Sequence, residues 1–245
     1  MSDTIYYHHA PIEEAIIDLQ IEPEKGISFA NLEQMHRLLI PEFPHLQRIE
    51  RREVDLLSDL KPRDEVTLPP FGLRLISSDN RKIVTATLEG FSFSLLSPYT
   101  TWEEFSGLAR AAWEVFRQCV PISELRRVSV RYINQFNFHE TLLPLEKYFT
   151  LYPLVPTNIG TPLIAQEMRV AVQVPQLEGL AVIAQSPVLP KFEGGSSLLL
   201  DIDLFRVDHV PQEEEALWNL LAQFRKEKNR IFQNCLTSEA ESLIT

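Results

Sequence analysis

Residues 71–97 read FGLRLISSDNRKIVTATLEGFSFSLLS. Three short runs, 71–77, 82–88 and 91–97, carry strand-like composition, and turn residues separate them. Ser78, Asp79, Asn80 and Arg81 supply turn chemistry, and Glu89 with Gly90 suits a tight hairpin. A long helix is predicted directly afterwards. Thr101 and Glu104 have capping-box spacing, and Phe105, Leu108, Ala109, Ala112, Phe116 and Cys119 recur at three- and four-residue steps. One stripe of that helix must be buried, and Pro121 lies just beyond its end. Antiparallel hairpins feeding an amphipathic helix define an α+β chain.

Upstream, 12–21 reads as a strand. Ala15, Ile17, Leu19 and Ile21 share one face, while Glu14, Asp18 and Gln20 share the other with Ile16. Ser28 is placed to cap a helix carrying Phe29, Leu32, Met35 or His36, and Leu39, which Pro41 and Pro44 stop. A strand near 48–57 and a polar loop at 61–70 complete this half. Downstream, a strand at 125–138 turns Val128, Val130 and Tyr132 one way and Ser129, Arg131 and Ile133 the other. A short helix at 142–148 and an irregular proline-bearing stretch at 152–162 follow. Strands at 163–174, 180–185 and 196–207 precede a last long helix at 213–235, burying Leu217, Leu220, Leu221, Phe224 and Ile231. The basic run Arg225, Lys226, Lys228 and Arg230 reads as the solvated face of that helix. Ser238 and Glu241 cap a final short turn.

Composition removes several classes of function. Lys plus Arg is 23 and Asp plus Glu is 34, a formal net charge of −11 in 245 residues. That acidity argues against duplex nucleic acid or an anionic membrane as partner. Only 8 glycines occur, and neither a Walker loop, a GxGxxG nor a GxSxG is present. The two cysteines, Cys119 and Cys235, cannot form a zinc site alone. Low cysteine use and an N-terminus without a basic start and apolar run point to a soluble cytoplasmic protein. No apolar stretch reaches the roughly 20 residues that span a bilayer.

The two halves align at nearly constant offsets. Trp102, Phe105, Phe116 and Cys119 fall opposite Trp218, Leu221, Phe232 and Cys235, while Ala15, Ile17 and Leu19 fall opposite Val128, Val130 and Tyr132. The expectation is therefore two pseudo-repeats, 1–122 and 123–245. Each would be strand, helix, antiparallel strands and long helix, in the manner of helix-grip or TATA-box-binding folds, with merged sheets in one compact unit. This is a fold analogy and carries no function. It would set Glu13, Glu14 and Asp18 against Arg126, Arg127 and Arg131, acid facing base.

Several segments resemble those of one family. Ala10-Pro11-Ile12-Glu13-Glu14-Ala15-Ile16-Ile17-Asp18 resembles the opening of a sporadically distributed, uncharacterised bacterial family of similar length. Tyr99, Trp102 and Phe105 are similar to its Tyr-x-x-Trp-x-x-Phe segment. Arg131-Tyr132-Ile133-Asn134, Leu200-Asp201-Ile202-Asp203 and the closing Phe232-Gln233-Asn234-Cys235-Leu236-Thr237 also fit. The resemblance runs along almost the whole chain and implies one complete family unit. It implies a bacterial source and an accessory role beside mobile or defence genes, and no activity.

Candidate chemistry is sparse. Asp201 and Asp203, at i and i+2 in a strand, point the same way and are the weak metal or acid–base candidates. Their alternative role is a half-solvated face turned to water or arginines. Arg131 and Asn134 are candidate ligand contacts, because an arginine there clamps a carboxylate or phosphate. Arg131 could instead tie internally to Asp18, Asp201 or Asp203. One strand step separates the faces of Arg131 and Asn134. Trp102 and Trp218 open the two long helices, closing a core or lining a cavity beneath it. His8-His9 could hold a metal across a homodimer or belong to an edge strand. These features lead to a non-enzymatic binding or interaction protein without a cofactor, its protein or small-molecule partner undefined. The alternatives are a metal-dependent hydrolase built on Asp201 and Asp203, and a small-molecule carrier with a cavity under a long helix.

Overall fold

Alternation of apolar and polar residues and helical apolar stripes divide the chain into nine strands and five α-helices among the described residues. The computed structural model describes residues 7, 9–50, 70–154, 156 and 166–245. The elements are β1 (Ile12–Pro23), α1 (Phe29–Leu39), β2 (His45–Ile49), β3 (Gly72–Ile76), β4 (Lys82–Thr87), β5 (Gly90–Leu96) and α2 (Trp102–Cys119). They continue with β6 (Ile122–Phe138), α3 (Leu145–Tyr148), β7 (Met168–Val174), β8 (Gly179–Val188), β9 (Ser196–Arg206), α4 (Glu214–Cys235) and α5 (Ser238–Ser242). The strand β2 overlaps the start of the strand expected at 48–57; residues 51–57, the loop at 61–69, and residues 155 and 157–165 lie outside the described residues, as does His8.

The strands form one sheet in the order β2-β3-β4-β5-β1-β6-β9-β8-β7, open at β2 and β7. This overturns the expected pair of strand–helix pseudo-repeats of helix-grip or TATA-box-binding type. Among the described residues the structure is a single nine-stranded antiparallel sheet with five α-helices. Five strands precede α2 and four follow it, and the 11-residue α1 stands where the later half has only the 4-residue α3. The matched spacings have a simpler cause. Any helix that buries one stripe on a sheet repeats apolar residues at three- and four-residue steps, so α2 and α4 coincide for geometric reasons.

Contacts divide the chain into two units. One comprises Asp18–Leu95 and Thr101–Arg126. Here α2 lays Trp102, Phe105, Ala109, Ala112, Trp113, Phe116 and Cys119 into the core. Phe91 meets Trp113 at 5.4 Å between ring centroids, and Phe93 meets Phe105 at 5.9 Å. Thr101 caps α2 by accepting the Glu104 N–H. Asn31 ties α1 in place: its Oδ1 accepts the Ser28 N–H, and its Nδ2 donates to the Cys119 carbonyl at 2.8 Å.

The other unit comprises Met1–Ile17, Leu96–Thr100 and Arg127–Thr245. Its strands β6, β9, β8 and β7 pair antiparallel, with Arg131 opposite Asp203 and Val182 opposite Asp203 on the far side. Val128, Val130, Tyr132, Phe136 and Phe138 of β6 and Leu198, Leu200, Ile202 and Leu204 of β9 are buried. The α4 helix covers that face with Leu217, Leu221, Phe224, Ile231 and Cys235. Its C-terminal end is fastened by the Thr150 N–H to the Cys235 carbonyl and the Thr237 N–H to the Tyr148 carbonyl.

Candidate functional site

The odd-numbered residues of β6 and β9 face away from α4, because side chains alternate along a strand. This face carries Arg127, Ser129, Arg131, Asp201 and Asp203. Asp201 accepts from Arg131 Nε at 2.8 Å and Nη2 at 2.5 Å, a bidentate fork. Asp203 accepts from Arg127 Nη2 at 2.8 Å and from Ser129 Oγ at 2.6 Å. The Arg127 guanidinium also lies 4.5 Å from the centre of the Phe205 ring. Arg131 and Asp201 are displaced by two residues in register, so the long arginine reaches diagonally.

The Asp201 hydrogen bonds hold the Arg131 guanidinium even more firmly charged than usual; burial opposes this, and the charges of Asp201, Asp203 and Glu14 reinforce it. The Arg131 side chain remains 43% exposed, whereas those of Asp201, Asp203 and Arg127 retain 22%, 19% and 17%. The network is thus charge-balanced and open to solvent at Arg131.

The predicted residues separate as follows. Arg131, Asp201 and Asp203 come together. Asn134 does not join them: it is buried on the α4 side, and its Nδ2 donates to the Leu200 carbonyl at 3.0 Å. Asp18 lies on β1 at the parity opposite Ile17 and Leu19. The expected acid–base facing is redistributed. Arg127 and Arg131 bond to the acids of β9, Arg126 pairs with Glu22, and Glu13 pairs with Lys191 at 2.7 Å. Trp102 is buried with its ring edge-on to Phe105, and Trp218 is buried on α4. An open recess of about 670 Å³ is lined by Gln135, Pro187, Val188, Leu189 and Pro190, by neither tryptophan. Among the described residues no three His, Cys, Asp or Glu side chains are grouped to hold a metal ion. Both thiols are buried, and burial pushes Cys235 up to about 11, away from a reactive thiolate.

One residue escaped the sequence reading. Lys228 is only 5% exposed, and it belongs to the buried stripe of α4 rather than the solvated face. Its Nζ lies 3.5 Å from the centre of the Tyr132 ring. The Tyr132 hydroxyl is 3.0 Å from that of Tyr99, whose ring meets the Tyr132 ring edge-on. Burial pushes the Lys228 amine down to about 7, and Arg225 adds to the effect. The stepping Leu217, Leu221, Phe224, Lys228, Ile231, Cys235 is the signal that could have found it.

The fold and face together define an open-sheet α+β protein with a charge-paired patch on the sheet side opposite α4. Neither a protein-family model nor a curated protein matches the chain. No helix among the described residues is long and apolar enough to cross a membrane.

Proposed function

We propose that the chain is a binding protein without a catalytic centre of its own, its contact surface the β6/β9 face around Arg131 and Asp201. The observation that carries this reading is the engagement of both candidate carboxylates by arginine and serine. A cation would have to displace Arg131 and Arg127 to take Asp201 and Asp203 as ligands. A surface of alternating charges with a half-exposed arginine fits a protein partner of mixed charge, where complementarity sets register and specificity. The resemblance of its segments to an uncharacterised bacterial family supports extending this reading to a cytoplasmic component of a bacterial accessory or defence locus.

Two measurements test it. Melting curves with Mg²⁺, Mn²⁺ or Zn²⁺ are expected to superimpose on the metal-free curve. A metal-dependent rise that vanishes in Asp201→Ala would instead establish the metal-dependent hydrolase. In cross-linked cell extract, the wild-type chain retains a partner set that Arg131→Glu loses while keeping its circular dichroism. Identical capture by the two chains removes the β6/β9 face as the contact surface.

A further inference from the structure

The sheet has two edges, and they are built differently. At one edge β2 is only five residues long, and its Arg48 is tied to Glu33 of α1 at 3.4 Å. It follows Pro44 and is followed in sequence by Glu50, Arg51, Arg52 and Glu53. Short length, proline and clustered charge are the usual means of keeping an edge strand from pairing. At the other edge β7 is seven residues long, Met168-Arg169-Val170-Ala171-Val172-Gln173-Val174. It holds neither proline, lysine nor carboxylate. Its register with β8 runs without a bulge from Met168 opposite Gln185 to Val174 opposite Gly179. Among the described residues β7 pairs on that one side only. Arg169, Ala171, Val172 and Gln173 are exposed, and Val172 is 42% exposed although it shares the core-facing side with Val170 and Val174. Alternate N–H and C=O groups of such a strand point away from its neighbour, toward the place of a further strand.

We propose that β7 is a self-association edge, pairing antiparallel with β7 of a second copy of this chain about a two-fold axis at Ala171. A centre at Ala171 is the one that overlaps all seven residues. The occupant follows from what that register sets side by side. Met168 meets the partner's Val174 and Val170 meets the partner's Val172, so the half-covered apolar side continues across the seam. On the other side Ala171 meets its own copy, and Arg169 meets the partner's Gln173, a neutral neighbour. The single charge of the strand falls four residues, about 14 Å, from its own copy, farther than charges reach through physiological salt. A charge at the axis would face its own copy directly, and the three central positions hold none. A single strand seam buries less than the roughly 800 Å² per partner of a standard interface, so the dimer is reversible, with a dissociation constant of about 10–100 μM. The inference goes beyond the β6/β9 surface and does not depend on it, since β9 and β8 stand between β6 and β7.

Two measurements on the full chain test it. Sedimentation equilibrium from about 1 to 300 μM is expected to show a monomer–dimer equilibrium. Ala171→Lys sets two ammonium groups face to face at the axis and is expected to weaken it about fivefold or more. Arg131→Glu is expected to leave it unchanged. Disulfide mapping then reads the register. Both native thiols are buried, so one thiol placed on β7 reports alone. Ala171→Cys is expected to give linked dimer about tenfold faster than Gln173→Cys, whose two thiols lie four residues apart. An equimolar mixture of Arg169→Cys and Gln173→Cys is expected to link as the mixed pair. All these β7 positions are exposed, and unchanged circular dichroism verifies that each variant keeps the fold. A chain that stays monomeric across the range overturns the proposal and leaves the edge to a strand of another protein. A dimer indifferent to Ala171→Lys overturns it too, because the association then lies elsewhere. Equal linking of Ala171→Cys and Gln173→Cys overturns the two-fold pairing of β7.

Discussion

Asp203 holds Arg127 and Ser129 at once, so removing its carboxylate takes an ion-pair partner from a largely covered guanidinium and leaves the buried Ser129 hydroxyl without that acceptor. Asp203→Ala is expected to cost about 2 kcal/mol in urea unfolding. Asp201→Ala frees only Arg131, which already meets water, and is expected to cost about 1 kcal/mol or less. The order of the two, rather than either value, is the check. Lys228 makes a prediction with the opposite sign. Its folded-state titration lies near 7, below the ordinary lysine value of 10.5. Between those values the unfolded chain binds more protons than the folded chain, so Lys228 makes stability rise with pH. Its penalty is fully present below 7 and is relieved as pH climbs toward 10.5. Lys228→Met is expected to stabilise the chain by about 1–3 kcal/mol at neutral pH and to flatten the dependence between pH 7 and 9. Urea titrations at the two pH values decide it, and an unchanged slope would contradict the burial.

Elements were legible in proportion to how local their causes are. The capping pair Thr101 and Glu104 marks the start of α2, and Pro121 follows its end by two residues. Thr101→Ala is expected to lower stability by about 1 kcal/mol, because the Glu104 N–H loses its acceptor; chemical denaturation measures it. The cap of α5 was misplaced by one residue: Thr237, not Ser238, accepts the Ala240 N–H. Gly179 shows what strand periodicity cannot report. A side chain there would place Cβ 2.8 Å from the Phe205 carbonyl oxygen, on the strand paired with β8. Gly179→Ala is expected to cost about 1–3 kcal/mol, visible as a lower melting temperature. Nothing in the spacing of 179–188 announces that close approach, since the obstructing atom lies on another strand.

At the scale of the whole molecule, the net charge of −11 opposes binding to phosphate backbones. No retention of labelled duplex DNA is expected in a gel-shift assay at physiological ionic strength, and a specific shift would overturn that view. The sequence by itself determined the α+β class, most strands and both long helices, because periodicity and capping act within a few residues. It also singled out Arg131, Asp201 and Asp203, since strand parity puts the two acids on one face. Three things were decided only in the tertiary structure. Strand pairing is non-local, so the single nine-stranded order displaced the two-repeat reading that similar helix spacings had suggested. The arginines of β6 found the acids of β9 because register, which no single strand encodes, set them side by side. Lys228 became a covered amine over Tyr132 because α4 lies with that stripe on the sheet, whereas in sequence it is one cation in a basic run.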